Sequence, residues 1–523
     1  MTHPFIENYA PDAHVSAEPK ALNYGLPKKR VGIIGGGTAG ATIAIRLAAL
    51  GLETYVLEKK KSLIDGPPMC HLHAGGNLYR EIPDEDCIDL LKQCIDIARL
   101  YPHTIDVRPT VFAVPKRDDD APEDLFPRLN KLVKAYSELV EQDSANKVLG
   151  EPEHYYQLYS YEHMLKLAKQ KQVAKPTSLD EWMIPVAKHL DLDKLKFPLI
   201  VAQEYGWNIF RLSASAQLAL AQYKHAHVLT STSVKNVSPV INTNNDKQTL
   251  KWHIEYQSEP SLDEQPDTQA DSQTIEVDYL INACGFQTGI IDDLVGVDVK
   301  RMVEFKASYI THWQGAGGQI PEIIIYGNRG TPEGMAQLTP YPNGYFQIHG
   351  MTNNITLFND GLADATPMSA QPKLPNKYLH YIKDGWDEAA LQTRTQTAID
   401  YVAEFVPAFK TASTQNNALY GGQQIPGDDD TLRVADVSLY SHISYARAEN
   451  VKASSTLIAA DQIVGEFIKL GIISSDPAVN HHRSTHQWSY LKHNSSEKID
   501  EVARILAHER GFPIDMAELN NSL

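Results

Sequence analysis

The chain has 523 residues, too many for one hydrophobic core, so two or more domains are expected. Its formal net charge is −17, which leaves no excess of cations to neutralise phosphates, so nucleic acid is not an expected partner. No secretory signal, no apolar run of about 18 residues and no C-x-x-C pair is found. We therefore expect a cytoplasmic protein without a transmembrane segment, a disulfide framework or a metal site. Peripheral contact with the inner face of a membrane stays open.

The first predicted elements are a strand over residues 31–34, a glycine turn, a helix, and a second strand that ends at Glu58. Gly35, Gly37 and Gly40 have G-x-G-x-x-G spacing, which permits a tight turn, a close backbone approach to a pyrophosphate, and close packing of helix on sheet. An acid at the end of the second strand can bind a ribose hydroxyl. This unit predicts a dinucleotide site that also includes Gly36, Thr38, Ala39 and Lys59.

A loop with two histidines follows at residues 69–79. Beyond it the pattern predicts a helix over 87–101 and a strand over 107–114. Residues 124–195 read as mostly helical and lack a glycine fingerprint, which indicates an insert.

The next predicted elements are a helix over 212–222, strands near 227–230 and 233–237, and a half-buried strand over 250–256. An apolar strand over 278–285 ends in the small residues Ala283, Cys284 and Gly285, which let a backbone approach a bulky group. Residues 300–425 are rich in strands and turns, helical signal returns over 377–405, and the last predicted helix covers 496–510.

These motifs resemble the flavoprotein superfamily of D-amino-acid-oxidase type, which includes malate:quinone oxidoreductase. In that family the first fingerprint binds the ADP half of FAD. The resemblance implies that Val234 contacts adenine and that residues 283–285 return to the cofactor. It also implies that Asn77 and Leu78 lie near the flavin and that a C-terminal helix opens on it, through Ser454, Ser455 and Thr456.

The expected cofactor is therefore FAD, bound without a covalent link. In parts of the superfamily a histidine or cysteine of this loop bonds to the flavin, which keeps His71 or Cys70 as an alternative. The implied fold is α/β (α+β overall). It combines a Rossmann-like FAD-binding domain of glutathione-reductase type with a mainly antiparallel substrate-domain sheet and a helical insert. We expect the FAD-binding domain at 28–116, 199–298 and 430–473, the insert at 117–198, the rest of the substrate domain at 299–429, and a tail at 474–523.

The predicted activity is that of an FAD-dependent dehydrogenase or oxidase, which transfers a hydride from a small 2-hydroxy acid or amine to FAD. A quinone or another electron acceptor is the expected second partner. A proton acceptor is needed, and His71, His73 and His349 are the candidates. Tyr345 is a candidate for a wall of the site or a hydrogen-bond donor over the flavin. Arg211 and Arg329 are the candidates for binding a substrate carboxylate.

Two alternatives remain at this point. One is a flavin monooxygenase or halogenase-like enzyme, although its G-D-(A/S)-A-H-type motif is not found. The other is a flavin-binding protein without catalytic activity. A dehydrogenase that uses NAD alone is less favoured, because it does not need the later strand or the C-terminal return to the cofactor.

Overall fold

The computed structural model describes residues 29–66, 69–76, 83–244, 247–258, 272–427, 436–449, 452–474, 491 and 494–523. Within them the protein is a mixed α/β structure with four β-sheets and 11 α-helices. None of these helices is both long and apolar enough to cross a membrane. The predicted residues Asn77 and Leu78 lie outside the described ranges.

The strands are β1 (Arg30–Ile34), β2 (Glu53–Leu57), β3 (Met69–Leu72), β4 (Ile105–Asp106), β5 (Thr110–Ala113), β6 (Tyr156–Tyr159), β7 (Leu199–Ala202), β8 (Tyr205–Asn208), β9 (Ala226–Leu229), β10 (Thr232–Asn244), β11 (Lys247–Ser258), β12 (Gln273–Val277), β13 (Tyr279–Asn282), β14 (Arg301–His312), β15 (Glu322–Ile325), β16 (Ala336–Pro340), β17 (Tyr345–Gly350), β18 (Leu362–Asp364), β19 (Ser413–Pro426), β20 (Asp436–Tyr440) and β21 (Tyr445–Glu449). The helices are α1 (Thr38–Ala49), α2 (Asp84–Leu100), α3 (Phe126–Gln142), α4 (Tyr161–Leu167), α5 (Leu179–His189), α6 (Ile209–Leu220), α7 (Thr288–Val295), α8 (Asn376–Asp384), α9 (Glu388–Ala403), α10 (Thr456–Lys469) and α11 (Ser496–Glu509).

The first sheet has six strands in the order β20-β21-β13-β1-β2-β9. Its pairs are parallel except for the antiparallel pair β20·β21. Strand β1 is apolar and buried on both faces, which is typical of a parallel strand covered on each side. Helix α1 follows β1 directly and packs against α10. The carboxyl ends of β1, β2 and β13 therefore lie side by side, where open parallel sheets bind ligands.

The second sheet has nine strands in the order β18-β14-β17-β16-β15-β5-β7-β6, with β19 paired to β14. All its pairs are antiparallel except β5·β15. Strands β5 and β7 fall inside the segments predicted for the FAD-binding domain, but their hydrogen bonds join them to this sheet. Smaller three-stranded sheets, β10-β11-β12 and β3-β8-β4, complete the β-structure of the described residues.

The predicted insert is not wholly helical. It contains α3, α4 and α5, but Tyr156–Tyr159 forms β6 and pairs with β7. A four-residue strand carries little periodic signal of its own, because its hydrogen bonds come from a partner more than 40 residues away in sequence. The helical signal over 377–405 resolves into α8 and α9, separated at Gly385, whose φ is +93°. The predicted C-terminal helix is confirmed as α11, and it packs against α6.

Candidate functional site

The glycine turn after β1 is shaped by two steric limits. The φ of Gly35 is +98°, and a Cβ there would lie 2.4 Å from the Ala283 carbonyl oxygen. A Cβ on Gly40 would lie 1.9 Å from the Gly35 carbonyl oxygen, so the first turn of α1 packs directly on the loop. A Cβ on Gly37 would meet nothing within 4 Å. The open space therefore lies beside Gly37, at the helix end that attracts anions.

Glu58 lies at the end of β2 and faces the same turn. Its Oε2 accepts a hydrogen bond from the Gly36 backbone N–H at 2.6 Å, and its Oε1 accepts one from the Lys60 N–H at 2.7 Å. Burial raises the pKa of Glu58, against the effect of these two hydrogen bonds. The Glu58 carbonyl accepts the N–H of Thr232, which brings the start of β10 and the half-buried Val234 to this edge of the sheet.

The residues after β13 lie against the glycine turn. The Ala283 N–H donates to the Ile34 carbonyl at 2.8 Å, and Cys284 Sγ lies 3.2 Å from the same oxygen. Burial raises the pKa of the Cys284 thiol to about 12, so it stays a thiol at neutral pH. Gly285 has a φ of +59°, and Lys59 donates to Gln287 just beyond it. Residues far apart in sequence thus meet at the predicted cofactor site.

The segment before α10 meets the histidine-bearing loop. The hydroxyls of Ser454 and Ser455 donate to Gln93 Oε1 at 3.3 and 3.0 Å. Thr456 is buried, and its Oγ1 has no hydrogen-bond partner among the described residues. Lys452 Nζ lies 3.1 Å from His73 Nε2. This C-terminal segment therefore joins the fingerprint side of the molecule to the loop that carries His73.

A buried ion cluster lies beside that loop. His71 Nε2 is 2.5 Å from Glu204 Oε2, and His71 Nδ1 is 3.3 Å from Glu322 Oε2. Burial alone would lower the pKa of His71, but the charge of Glu322 and hydrogen bonds to both carboxylates raise it to about 9. Burial likewise opposes ionisation of Glu322, yet Arg108 and His71 hold its pKa well below the usual range. His71 is therefore a cation at neutral pH.

The rings of His71 and His73 lie in edge contact, with centroids 4.6 Å apart. One nitrogen or carboxylate oxygen each from His71, His73 and Glu204 lies within 4.8 Å of the others, so these side chains form one compact cluster. Lys452 Nζ adjoins this cluster at His73.

One face of the nine-stranded sheet carries polar side chains. On β17, Tyr345, Gln347 and His349 are half-buried on one face, while the residues between them are buried on the other. Burial lowers the pKa of His349 to about 4, and the charges of Lys306 and Lys452 add to the effect. His349 is therefore neutral near pH 7, and its Nδ1 has no hydrogen-bond partner among the described residues.

Glu304, on β14 of the same sheet, pairs with two cations. Its carboxylate lies 2.9 Å from Lys306 Nζ and accepts a hydrogen bond from the Arg329 guanidinium. Glu304 and Glu322 both act on the charge state of His349, so these groups share one electrostatic environment. Tyr345, four residues before His349, packs against the ring of His312 at 4.8 Å.

Arg211, a predicted substrate ligand, has its guanidinium engaged by protein groups. Its Nε donates to the His103 carbonyl at 2.5 Å, its Nη1 to Asp500 at 2.6 Å, and its Nη2 to Ser496 at 3.3 Å. All three nitrogens therefore bind protein groups, two of them at the start of α11. Sequence alone could not identify this role, because Asp500 is 289 residues away.

The sequence analysis missed several residues of the site, namely Glu204, Glu304, Lys306, Glu322 and Lys452. A signal existed for two of them. Glu322 opens an otherwise all-isoleucine strand, where an acid needs a buried partner, and Lys452 directly precedes the predicted helix start at 454–456. The other three have no local pattern that separates them from surface charges.

Comparisons with known proteins find one family model and several solved structures. The family model described as DAO, FAD dependent oxidoreductase, matches residues 30–446. L-amino acid deaminase from Proteus vulgaris is 12% identical with a TM-score of 0.50, covering 88% of this chain and 98% of its own. NikD, an unusual amino acid oxidase, is 10% identical with a TM-score of 0.50, covering 86% and 96%. L-proline dehydrogenase from P. horikoshii is 15% identical with a TM-score of 0.47, covering 89% and 99%.

At these identities the solved structures show a likeness of fold alone. No curated protein sequence matches the chain. The family model, by contrast, spans both large sheets and begins at the strand that leads into the glycine turn. On that extent of matching, the chain belongs to the DAO family of FAD-dependent oxidoreductases.

Proposed function

We propose that this FAD-dependent oxidoreductase is a dehydrogenase or oxidase acting on a small 2-hydroxy acid or amine. FAD, when bound, supplies the hydride acceptor. The residues fit such a cofactor, because Gly35 and Gly40 leave no room for a Cβ while the space beside Gly37 is open. The residues proposed to hold it are Gly35, Gly36, Gly37, Thr38, Ala39, Gly40, Glu58, Lys59, Asn77, Leu78, Val234, Ala283, Cys284, Gly285, Ser454, Ser455 and Thr456.

The observation that carries the proposal is a neutral histidine among cations on the polar face of the nine-stranded sheet. The charges of Lys306 and Lys452 act on His349, and so does the charge of Glu304, which accepts a hydrogen bond from Arg329. Cations favour a substrate carboxylate, and a neutral imidazole can accept the proton from a hydroxyl or ammonium group. We propose His349 as the base, Arg329 as a carboxylate ligand, and His73 and Tyr345 as further substrate contacts.

A non-covalent cofactor is part of the proposal. Both nitrogens of His71 are engaged by carboxylates, and burial raises the pKa of the Cys70 thiol to about 12. Neither group is therefore in the nucleophilic form that a covalent bond to the flavin needs. Retention of the yellow colour by acid-denatured polypeptide would contradict this part.

We further propose that the FAD-binding domain is of glutathione-reductase type and discontinuous, and that the nine-stranded sheet lies on the substrate side. The support is that the six-stranded sheet takes its strands from residues 30–57, 226–282 and 436–449. The electron acceptor, a quinone or another oxidant, completes the proposed turnover.

An anaerobic donor screen tests the function. The holoenzyme is mixed with 2-hydroxy acids, amino acids, amines and, separately, NADH or NADPH, and loss of flavin absorbance at about 450 nm reports reduction. We expect bleaching by one hydroxy acid or amine class. The His349→Asn variant should lose it, whereas His380→Asn, an exposed histidine paired with Asp384, should retain it. Bleaching by the nicotinamides alone would favour the monooxygenase alternative, and no bleaching by any donor would contradict the proposal.

A further inference from the structure

His71 joins three parts of the chain that are distant in sequence. It lies on β3, Glu204 lies between β7 and β8, and Glu322 opens β15. The side chain of His71 is 3% exposed and both carboxylates are fully buried. Removing one partner of such a buried pair leaves an uncompensated charge, so the three side chains hold one another in place.

Glu204 also holds the loop that follows β3. Its Oε1 accepts a hydrogen bond from the Gly76 N–H at 2.5 Å and lies 3.2 Å from the Tyr155 hydroxyl oxygen. The single hydroxyl proton of Tyr155 has a closer acceptor in the Ala74 carbonyl, at 2.8 Å. Glu204 therefore holds Gly76 directly and also contacts the side chain that holds Ala74.

His73 is at the start of this anchored loop. Its ring contacts the ring of His71, and its Nε2 lies 3.1 Å from Lys452 Nζ. His73 therefore contacts both the ion-paired His71 and Lys452.

We propose that His71, through its ion pairs with Glu204 and Glu322, is a positioning residue that sets the His73–Lys452 contact at the candidate active site. This inference rests on the proposed function for its effect on turnover. Its effect on the stability of the protein without FAD depends only on the contacts described above.

The charges around His71 predict a definite pH dependence. Glu204 and Glu322 face it from two elements, His73 contacts it from its own segment, and Arg108 faces Glu322 with its Nη1 at 2.5 Å. The pKa of His71 is raised from its usual 6.5 to about 9. The stabilisation is therefore complete below about pH 6.5 and is lost as pH rises through about 9, where two buried carboxylates remain without their shared cation.

The first test uses the protein freed of FAD, so activity is not the readout. Thermal unfolding is measured between pH 6 and 10 for the wild type, His71→Asn and the exposed control His380→Asn. We expect the melting temperatures of the wild type and the control to fall as pH rises through about 9. The melting temperature of His71→Asn should stay constant in that window. Equal slopes in all three proteins would overturn the inference.

The Glu322→Gln variant covers the case in which His71→Asn does not fold. It removes one of the two charges that favour protonated His71 but keeps a group of the same shape. We expect the alkaline loss of stability to begin about one pH unit or more lower than in the wild type. An unshifted profile would also overturn the inference.

The second test is on turnover with the donor found by the screen. Because His71 does not touch substrate in the proposal, Glu322→Gln should lower kcat at pH 8–9 about tenfold while KM changes less than about twofold. The alkaline limb of kcat should move to lower pH with the stability profile. A merely structural role would reduce the amount of folded enzyme without moving that limb. If no donor reduces the wild type, the proposed function fails, while the stability test still decides the role of His71.

Discussion

At the scale of single residues, the three fingerprint glycines are required for different reasons. Gly35 and Gly40 leave no space for a side chain inside the protein itself, whereas a Cβ on Gly37 meets nothing within 4 Å. The spacing of the motif was legible in the sequence. The spacing does not tell which glycines the fold needs and which one we propose for the cofactor. For Gly35 the answer depends on the backbone of residues 283–284, which packs against the turn.

This division predicts opposite outcomes for two matched variants. Gly37→Ala should leave the melting temperature of the FAD-free protein within about 3 °C of the wild type, because its φ of −66° suits any residue. It should weaken FAD binding about tenfold or more, since the added methyl occupies the space beside the helix end. Gly40→Ala should lower the melting temperature markedly. Thermal unfolding and flavin-fluorescence titration measure both, and equal effects of the two variants on FAD-free stability would contradict the division.

The pKa values of His71 and His349 are shifted in opposite directions by their surroundings. Carboxylates raise the pKa of His71, whereas burial and two lysines lower that of His349 to about 4. His349 therefore becomes a neutral base as pH rises through about 4 and stays one near neutrality. We expect kcat/KM of the wild type to rise along an acid limb at about pH 4 and His349→Asn to lose both this limb and about 100-fold of kcat/KM. An acid limb that persists unchanged in the variant would exclude His349 as its origin.

At the scale of elements, the C-terminal helix α11 braces the predicted cofactor loop. Arg510, which follows α11, donates to the Leu63 carbonyl at 3.0 Å and the Ile64 carbonyl at 3.1 Å. The Ile64 N–H in turn donates to the Gly36 carbonyl at 2.9 Å. Residues 494–523, which belong to the predicted tail, are thus linked to the glycine turn through Ile64.

Arg510→Met should therefore weaken FAD binding about tenfold, or ~1.4 kcal/mol, because it removes charge-assisted hydrogen bonds to the loop that holds Gly36. Arg504→Met is the matched control within α11, six residues before Arg510, since Arg504 forms a half-exposed pair with Glu518. Its FAD dissociation constant should stay within about twofold of the wild type. Equal FAD dissociation constants for Arg510→Met and the control would contradict the brace.

The helices and strands with a clear apolar periodicity were the ones that the sequence predicted correctly. Strand β1, helix α1 and α11 have long or repeated apolar patterns and lie where the sequence indicates. Strand β6 was missed, and β5 and β7, which lie in the segments predicted for the FAD-binding domain, pair with strands of the nine-stranded sheet. Short strands receive their sheet from a partner. The spacing of apolar residues determines whether a segment can be a strand but not which sheet it joins.

At the scale of the whole molecule, a buried charge network lies where the two large sheets approach each other. Asp292 on α7 accepts a hydrogen bond from Arg301 at the start of β14 and another from the Tyr445 hydroxyl on β21 at 2.5 Å. Arg447 Nη1 lies 3.4 Å from the same carboxylate. The side chains of Asp292, Arg301 and Arg447 are at most 3% exposed, so their charges depend on one another.

Asp292→Asn should lower the free energy of unfolding by about 3–5 kcal/mol, because the two buried guanidinium groups then share one carboxylate, Glu449, instead of two. Asp89→Asn removes one partner of an exposed pair with Lys92 and should change it by less than about 1 kcal/mol. Denaturant unfolding of the two variants and the wild type measures this difference. A loss below about 1 kcal/mol for Asp292→Asn would show that the network does not hold the sheets together.

The sequence by itself determined the FAD fingerprint, the returning strand at 278–285 and the start of α10, and these led to the family. Each is a local pattern in which backbone geometry restricts the residue types within a few positions. Only the tertiary structure brought Glu204, Glu322 and His71 together, put His349 near lysines, and paired Arg211 with Asp500. The physical reason is that charges and hydrogen bonds act between residues close in space, and no spacing along the chain records which distant side chains will be buried side by side.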